Sequence, residues 1–402
     1  PYLVAYLAAR RAPLSAGDQP EAAGDLRTRK LSTRTIALLV IGQAGPLVVL
    51  ALLYFFDVRQ IKIGGGAISK SLWTDFAWAL SWAFGLPLSG VPIQLAVGLG
   101  LGAGCAGFAA VYAQTVHSIA ALLIGGSEEQ KKRFFPLLLP PGGHMASFCV
   151  TEEKSGSNTS SFSTVFSRKG RSFLLNGAKE PIINAGQSRF YVVWANEEGA
   201  RNRAGISAFL IPAGTEGLDF GPYHDKPGFR AAPTAAVHFR NVRIPEGNMI
   251  GPAGSGYLLL MQILDWGRAL GAAIAVGLAR TAIEEAVRFA KQRVILKRPI
   301  IRNQSIAFML ADLATELEAA RALVWRACRL IDLGKDHTVA SSMAKLYASE
   351  LAVRATTEGL LILGQSGFKR PSLMDKLHRD AQAFRIAEGT SHVQKLIISG
   401  QL

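Results

Sequence analysis

The pattern of apolar and polar residues divides the chain into three zones. Up to about residue 145 the apolar positions recur with a helical period, residues 146 to 245 show short apolar runs bounded by polar turns, and residues 246 to 402 return to long helical periods. The first and last patterns are typical of helices and the middle one of strands. This order predicts an α+β protein in which a β domain is inserted between helical domains, at 1–145, 146–245 and 246–402.

The strand zone and the last helical zone have clear local signals. Ser172–Gly177 places Asn-Gly directly after an apolar run, a strong signal for a hairpin turn. Three more short apolar runs, at 190–194, 205–211 and 235–239, predict a small sheet or barrel. Apolar residues at helical spacing after residue 280 predict the long helices of a four-helix bundle.

Two stretches of the first zone are almost free of charge. There is no charged side chain between 35 and 56, and none between 76 and 127 unless His117 is protonated. Apolar runs of about 18 residues are candidates for membrane spans, but prolines and glycines interrupt both stretches. We therefore expect buried core helices, with membrane insertion or peripheral association as the alternative. His117 is expected to be a satisfied helix residue, and three tryptophans are expected in the core: Trp73, Trp78 and Trp82.

Composition and charge narrow the class of protein. The chain has 402 residues, 49% hydrophobic and only 18% charged, which excludes a disordered chain. Cys105, Cys149 and Cys328 form no C-x-x-C pair, so neither a disulfide framework nor a zinc site is expected, and a cytoplasmic location fits. The formal charge of +15 favours an anionic partner, such as a nucleotide, an acidic carrier protein or anionic lipid. Nucleic acid is disfavoured because zinc-finger and RNA-binding spacings are missing.

Several motifs in the second half of the chain resemble those of one enzyme family. Phe148–Glu152, followed by Ser155–Ser157, is similar to the C-x-T-E-x-x-x-G-S segment of the acyl-CoA dehydrogenases. Arg379–Ala381, followed by Ile386–Ser391, is similar to that family's closing signature. Further matching segments lie between them in the family's order, at 177–179, 242–245, 265–268, 304–312 and 362–368. The resemblance extends from about Gly126 to the C-terminus.

This resemblance implies a fold, a cofactor and a reaction. The fold is an N-terminal helical domain, a central β-barrel and a C-terminal four-helix bundle. FAD is bound between the barrel, the bundle and a neighbouring subunit, in a homotetramer or homodimer. The reaction is the α,β-dehydrogenation of an acyl thioester of fatty acid metabolism, carried by CoA or by an acyl-carrier protein. An electron-transfer flavoprotein or another acceptor takes the electrons.

The reaction requires a carboxylate against the α-carbon, because the thioester α proton is a very weak acid. The resemblance places Glu388 there as the catalytic base. Some relatives carry the base beside the bundle arginine instead, but here that position is Gly267, so Glu388 is the candidate. Asp265 and Arg268, at i and i+3, project from one helix face.

The resemblance also implies the binding residues. The acyl thioester is contacted by Asp265, Arg268, Ala387 and Gly389, although an ordinary surface ion pair is the alternative for the first two. FAD is contacted by Thr151, Ser157, Arg293, Gln304, Gln365, Ser366, Gly367, Thr390 and His392.

Some positions depart from the family pattern and keep other functions open. Pro181–Ile183 stands where the family has Trp-Ile-Thr, so an aromatic shield and a hydroxyl donor near the flavin are missing. A flavin-dependent monooxygenase on the same fold is one alternative. A degenerate partner subunit that binds acyl-CoA, membrane or DNA is another. The small residues Gly267, Gly271 and Ala387 favour a branched, bulky or long acyl group, because small walls leave room in a pocket.

Overall fold

The computed structural model describes residues 62–63, 66–67, 100–138, 144–200 and 202–402. The charge-free stretch at 35–56 and Trp73, Trp78 and Trp82 lie outside the described residues. Two short strands, β1 (Lys62–Ile63) and β2 (Gly66–Ala67), pair antiparallel. The domain boundaries predicted at 145 and 245 stay predictions.

The described part of the first zone is helical. After a helical segment at 100–104 come α1 (Ala106–Gly125) and α2 (Glu128–Phe134). Ser127 begins α2 with a capping box, in which its hydroxyl accepts from the amide of Gln130 and the Gln130 side chain accepts from the amide of Ser127. Helix α1 is long and apolar enough to span a membrane, but 67% of its apolar window is buried inside the protein. The expectation of a buried core helix is therefore confirmed for this part of the zone.

The middle of the chain forms one eight-stranded sheet. Its strands run in the order β10-β7-β6-β4-β5-β9-β8, and β3 also pairs with β6. The strands are β3 (Met145–Cys149), β4 (Val165–Lys169), β5 (Ser172–Ile183), β6 (Ser188–Glu197), β7 (Ile206–Pro212), β8 (Leu218–Phe220), β9 (Thr234–Pro245) and β10 (Met249–Ile250). The predicted barrel is not closed, because no ladder in the described residues joins the short edge strands β8 and β10.

The hairpin predicted at Asn176–Gly177 is wrong. Asn-Gly lies inside β5, where the pairing with β9 shifts register between Leu175 and Gly177. The turn is at Gly170, whose φ of +62 suits a tight connection between β4 and β5. Gly177 also has a positive φ, and a Cβ there would lie 2.6 Å from the Cα of Thr164. The glycine therefore serves a bulge and a close backbone approach rather than a turn.

The edge of β6 is shared by two parallel strands. β3 pairs along Ser188–Val193 and β4 along Asn196–Glu197, so the chain leaves the sheet between them at 150–164. A buried ion pair holds this loop: Nζ of Lys179 donates to Oε1 of Glu152 at 2.9 Å and to the carbonyl of Val150 at 3.0 Å. The loop is thus anchored where it leaves the core.

The last zone is a helical bundle, as predicted. Helices α3, α4, α5 and α7 pack side by side, and α8 packs on α5. The helices are α3 (Gly256–Gln292), α4 (Gln304–Asp332), α5 (Thr338–Leu363), α6 (Gln365–Phe368), α7 (Leu373–Phe384) and α8 (Ser391–Ser399). A small hairpin of β11 (Val294–Ile295) and β12 (Arg298–Pro299) joins α3 to α4. α3 also passes the length test for a membrane span, but 72% of its window is buried.

The sheet and the bundle meet at a loop before β9. The amide of Phe229 donates to Oδ1 of Asp380 at 2.7 Å, and the rings of Phe229 and Phe384 are 5.2 Å apart. A Cβ on Gly228 would lie 2.2 Å from the carbonyl oxygen of Arg379. Only glycine allows this approach of the loop to α7.

Candidate active site

Glu388 lies in the turn between α7 and α8. Its φ is +59 and that of Gly389 is +82, and the glutamate value is strained for a residue with a side chain. The Gln394 side chain donates to the carbonyls of Glu388 and Gly389 at 3.1 and 3.0 Å. Nζ of Lys345 donates to the Gly389 carbonyl at 2.5 Å. These bonds hold the turn in its strained form and leave the Glu388 side chain only 16% exposed.

Lys345 and Gln394 are site residues that the sequence reasoning missed. Both side chains are buried. Burial lowers the pKa of Lys345 to about 8, against the opposing charge of Glu388. A lysine in an apolar helix face, within Met343–Leu346, is the signal that would have pointed to it, because buried lysines need a partner.

Two glycines of α3 face the same turn. A Cβ on Gly271 would lie 3.5 Å from Cγ of Glu388, and a Cβ on Gly267 would lie 2.0 Å from Nε2 of His117. The space beside each glycine is thus occupied by a side chain of the protein. The argument for a bulky acyl group from these two glycines does not hold.

His117 is buried as predicted, but it is not satisfied. It is 1% exposed, and neither ring nitrogen has a hydrogen-bond partner in the described residues. Its Nε2 lies 3.6 Å from Oε2 of Glu388. The sequence reasoning treated His117 as a core residue because an isolated histidine in an apolar helix gives no sign of a partner so distant in the chain.

Asp265 and Arg268 form an ion pair at the same end of α3. The Arg268 side chain is 7% exposed and that of Asp265 is 20% exposed, so this is not the surface pair offered as the alternative. The other oxygen of Asp265 accepts a hydrogen bond from the Thr338 hydroxyl at 2.8 Å, at the start of α5. The substrate residues predicted on α3 therefore lie one to two turns from Gly271, which faces the Glu388 side chain. Ala387 and Gly389 flank that glutamate in the chain.

Four predicted FAD residues lie on the Glu388 side of the fold or on the loop next to it. Thr151 follows β3, whose Phe148 ring lies 5.4 Å from that of His117. The Thr151 carbonyl accepts from the amide of Glu180, while its hydroxyl makes no hydrogen bond within the described part of the chain. Ser157 is exposed on the same loop. The other two residues are Thr390, whose hydroxyl caps α8, and the exposed His392.

The remaining predicted FAD residues lie at the opposite end of the bundle. Arg293 follows Gly271 by 293 − 271 = 22 residues, which is about 33 Å along a helix at 1.5 Å per residue. α4 begins and α5 ends at this end, because α4 runs back along α3 and α5 runs forward again. This second group consists of Arg293, Gln304, Gln365, Ser366 and Gly367. One protomer does not bring the two groups into one site.

The donors present suit FAD. A flavin ring offers carbonyl and nitrogen acceptors, and a diphosphate is bound well by a planar guanidinium. Thr151 and Ser157 have hydroxyls with no partner among the described residues, and Arg293 has no ion pair there. Pro181, next to the Glu180 that pairs with Thr151, supplies neither an aromatic face nor a donor.

One cavity of the described residues lies away from the Glu388 turn. It has a volume of about 520 Å³ and lies between the start of α1 and α7, with Arg230, Arg370 and Lys376 in its lining. None of the predicted site residues lines it.

Two family models match the chain. Residues 147–242 match the acyl-CoA dehydrogenase middle domain, and residues 254–402 match the acyl-CoA dehydrogenase C-terminal domain. An acyl-CoA dehydrogenase of Bacillus subtilis is 41% identical over 261 residues, which are 65% of this chain and 69% of that protein. The chain belongs to the acyl-CoA dehydrogenase family. The fold class expected from the resemblance is confirmed, apart from the open sheet.

Further acyl-CoA dehydrogenases have similar sequences and structures. The mitochondrial short-chain specific acyl-CoA dehydrogenase of Rattus norvegicus is 40% identical over 261 residues, 65% of this chain. The match spans 63% of that relative's own length. The solved butyryl-CoA dehydrogenase of Megasphaera elsdenii aligns with a TM-score of 0.75 at 31% identity, covering 93% of this chain and 99% of that one.

Proposed function

We propose that this protein is an FAD-dependent acyl-CoA dehydrogenase in which Glu388 removes the α proton of the acyl thioester. The observation that carries the proposal is the Glu388 carboxylate, largely buried in a strained turn that Lys345 and Gln394 hold against α3. A carboxylate held in this way is pre-oriented for proton abstraction from carbon. When bound, FAD supplies the acceptor for the hydride that leaves the β-carbon.

The neighbouring residues are proposed to bind the substrate. Arg268 and Asp265, one to two turns from Gly271 on α3, bind the CoA part of the thioester, and Ala387 and Gly389 line the acyl group beside the base. A short acyl chain is proposed because His117 and Glu388 themselves fill the space beside the two glycines of α3. The names of the short-chain and butyryl-CoA relatives agree with this choice.

Assembly into a homotetramer or homodimer is proposed from the separation of the two groups of FAD residues. Thr151, Ser157, Thr390 and His392 bind the flavin end within one protomer. Arg293, with the four residues near it, lies about 33 Å along α3 from Gly271 and reaches the FAD of a neighbouring subunit. Substrate loading on CoA, an electron-transfer flavoprotein as acceptor and a cytoplasmic location are proposed with the same function.

The test is anaerobic bleaching of the flavin absorbance by acyl-CoA thioesters from C4 to C16. Wild-type protein is expected to bleach fastest with the short chains. Glu388→Gln should keep FAD, as measured by the absorbance spectrum, and lose bleaching by about 100-fold or more, since a general base contributes roughly 10²–10⁴. Glu284→Gln is the matched control, because Glu284 is an exposed residue of α3 whose one ion-pair partner in the described part of the chain is Arg280. Bleaching of Glu388→Gln at the wild-type rate would refute the assignment.

A carrier protein in place of CoA is tested separately. The formal charge of +15 would attract an acidic acyl-carrier protein. Bleaching by acyl-carrier protein that exceeds bleaching by the same acyl-CoA, and that salt suppresses, would move the proposal to the carrier-bound substrate. Equal or weaker bleaching supports CoA.

A further inference from the structure

His117 is a buried polar side chain without a hydrogen-bond partner in the described residues. It is 1% exposed, and both Nδ1 and Nε2 are unpaired. Buried polar groups in native proteins almost always have a hydrogen-bond partner, so one without a partner calls for an explanation.

The imidazole is wedged against the candidate base. Its Nε2 lies 3.6 Å from Oε2 of Glu388. The ring lies 5.4 Å from that of Phe148 and meets Trp266 edge-on at 6.4 Å. On the α3 side, Nε2 has room only because residue 267 is a glycine and carries no Cβ. The ring is therefore confined by β3 and α3.

Other charged groups act on the turn around Glu388. Lys345 of α5 donates to the Gly389 carbonyl, and Arg268 of α3 is paired with Asp265. From β3 the neighbour of the ring is the uncharged Phe148. Among the described residues, His117 is the one basic side chain with a nitrogen within 4 Å of the Glu388 carboxylate.

We propose that His117 is a positioning residue for Glu388. When the gap between Nε2 and Oε2 closes in the complex with substrate, Nε2 donates to Oε2 and leaves the other carboxylate oxygen free to face the substrate. The distance of 3.6 Å is about 0.6 Å longer than a good hydrogen bond, and catalytic hydrogen bonds often tighten only in the complex with substrate. A donor to the ionised carboxylate also favours that form. The inference rests on the proposed function, because it concerns the same base.

The two glycines of α3 pack against His117 and Glu388. Gly267 makes room for the imidazole, whereas a Cβ on Gly271 would be in ordinary contact with Cγ of Glu388 at 3.5 Å. α1, α3 and the turn after α7 together confine one carboxylate. The sequence departs here from relatives that carry a base on this helix, since a side chain at 267 would collide with His117.

The experiment compares His117→Leu with His117→Gln in the FAD-loaded protein. His117→Leu removes the donor, and the initial rate of flavin bleaching by butyryl-CoA at pH 7 is expected to fall about 10- to 100-fold, the size of effect that misplacing a catalytic group produces. The acid limb of kcat/KM against pH should move to higher pH, because the carboxylate loses a group that favours its ionised form. His117→Gln keeps a donor and should restore most of the rate and the position of the acid limb.

Two more variants guard against a merely structural effect. His238→Leu makes the same change on β9, outside the candidate site, and should leave the pH profile unchanged. Gly267→Ala keeps the histidine but pushes Nε2 away, so its acid limb should move in the same direction as that of His117→Leu.

The outcomes separate the inference from the proposed function. If His117→Leu lowers stability or FAD content but leaves the acid limb in place, or if His117→Gln rescues nothing, the positioning role is wrong. If Glu388→Gln turns over normally, the proposed base is wrong whatever His117 does. If Glu388→Gln is inactive while His117→Leu keeps the wild-type bleaching rate and acid limb, this inference alone is overturned and the proposed base stands.

Discussion

Removal of the buried Lys179 should destabilise the protein strongly. Its ammonium is fully buried, donates to Glu152 and Val150, and lies 3.7 Å from the centre of the Phe162 ring. Lys179→Met leaves the Glu152 carboxylate buried without a countercharge, held only by the amides of Ser163 and Thr164. Breaking a buried pair from one side costs about 3–5 kcal/mol, a large part of a typical total of about 5–15 kcal/mol.

Guanidinium unfolding of the FAD-loaded protein, followed by tryptophan fluorescence, measures this cost. Trp194 is fully buried in the sheet beside Phe148 and reports its unfolding. The double variant Lys179→Met with Glu152→Gln should be more stable than Lys179→Met alone, because it removes the unpaired charge. FAD should also dissociate more readily from Lys179→Met, since the pair anchors the loop that carries Thr151 and Ser157.

Two results would refute this reasoning. A loss of less than about 1 kcal/mol would mean that the pair is effectively solvated. Additive effects of Lys179→Met and Glu152→Gln would mean that the two side chains do not depend on each other.

The remaining predictions concern pH and packing. Burial raises the pKa of Glu152, but the charge of Lys179 and the hydrogen bonds outweigh burial, so the pKa lies below its usual value. The stability advantage of wild type over Glu152→Gln should therefore be full above pH 4.5 and shrink as the pH falls below that. A stability difference that does not change with pH would contradict this. Burial lowers the pKa of Lys345 from 10.5 to about 8 in the folded state, so between these pH values the unfolded state binds more protons than the folded state. The stability of wild type relative to Lys345→Met should therefore rise with pH between 8 and 10.5, as measured by denaturant unfolding at each pH. Equal slopes of stability against pH for the two proteins would contradict this. Gly228→Ala should lower the free energy of unfolding by about 1–3 kcal/mol, measured by thermal or denaturant unfolding, because the new Cβ meets a backbone oxygen. The control Gly247→Ala should be near neutral, because a Cβ there has open space around it. Equal effects of the two variants would contradict the packing argument.

The order of helices and strands along the chain was predictable, because it depends on the local spacing of apolar residues. Helical spacing after residue 280 predicted the bundle, and short apolar runs in the middle zone predicted a sheet. The hairpin at Asn176–Gly177 was misplaced, because a glycine with positive φ serves a bulge as well as a turn. Closure of the sheet was also not predictable, since it depends on whether the short edge strands meet in space.

The sequence by itself determined which family's motifs are present and therefore which carboxylate and which binding residues to examine. It could not determine what surrounds Glu388. Lys345, Gln394 and His117 come from α5, α8 and α1, and only the packing of these helices around α3 brings them to one turn. Side-chain partners so far apart in the chain leave no local pattern, because each helix shows only that its face is buried and not what that face meets.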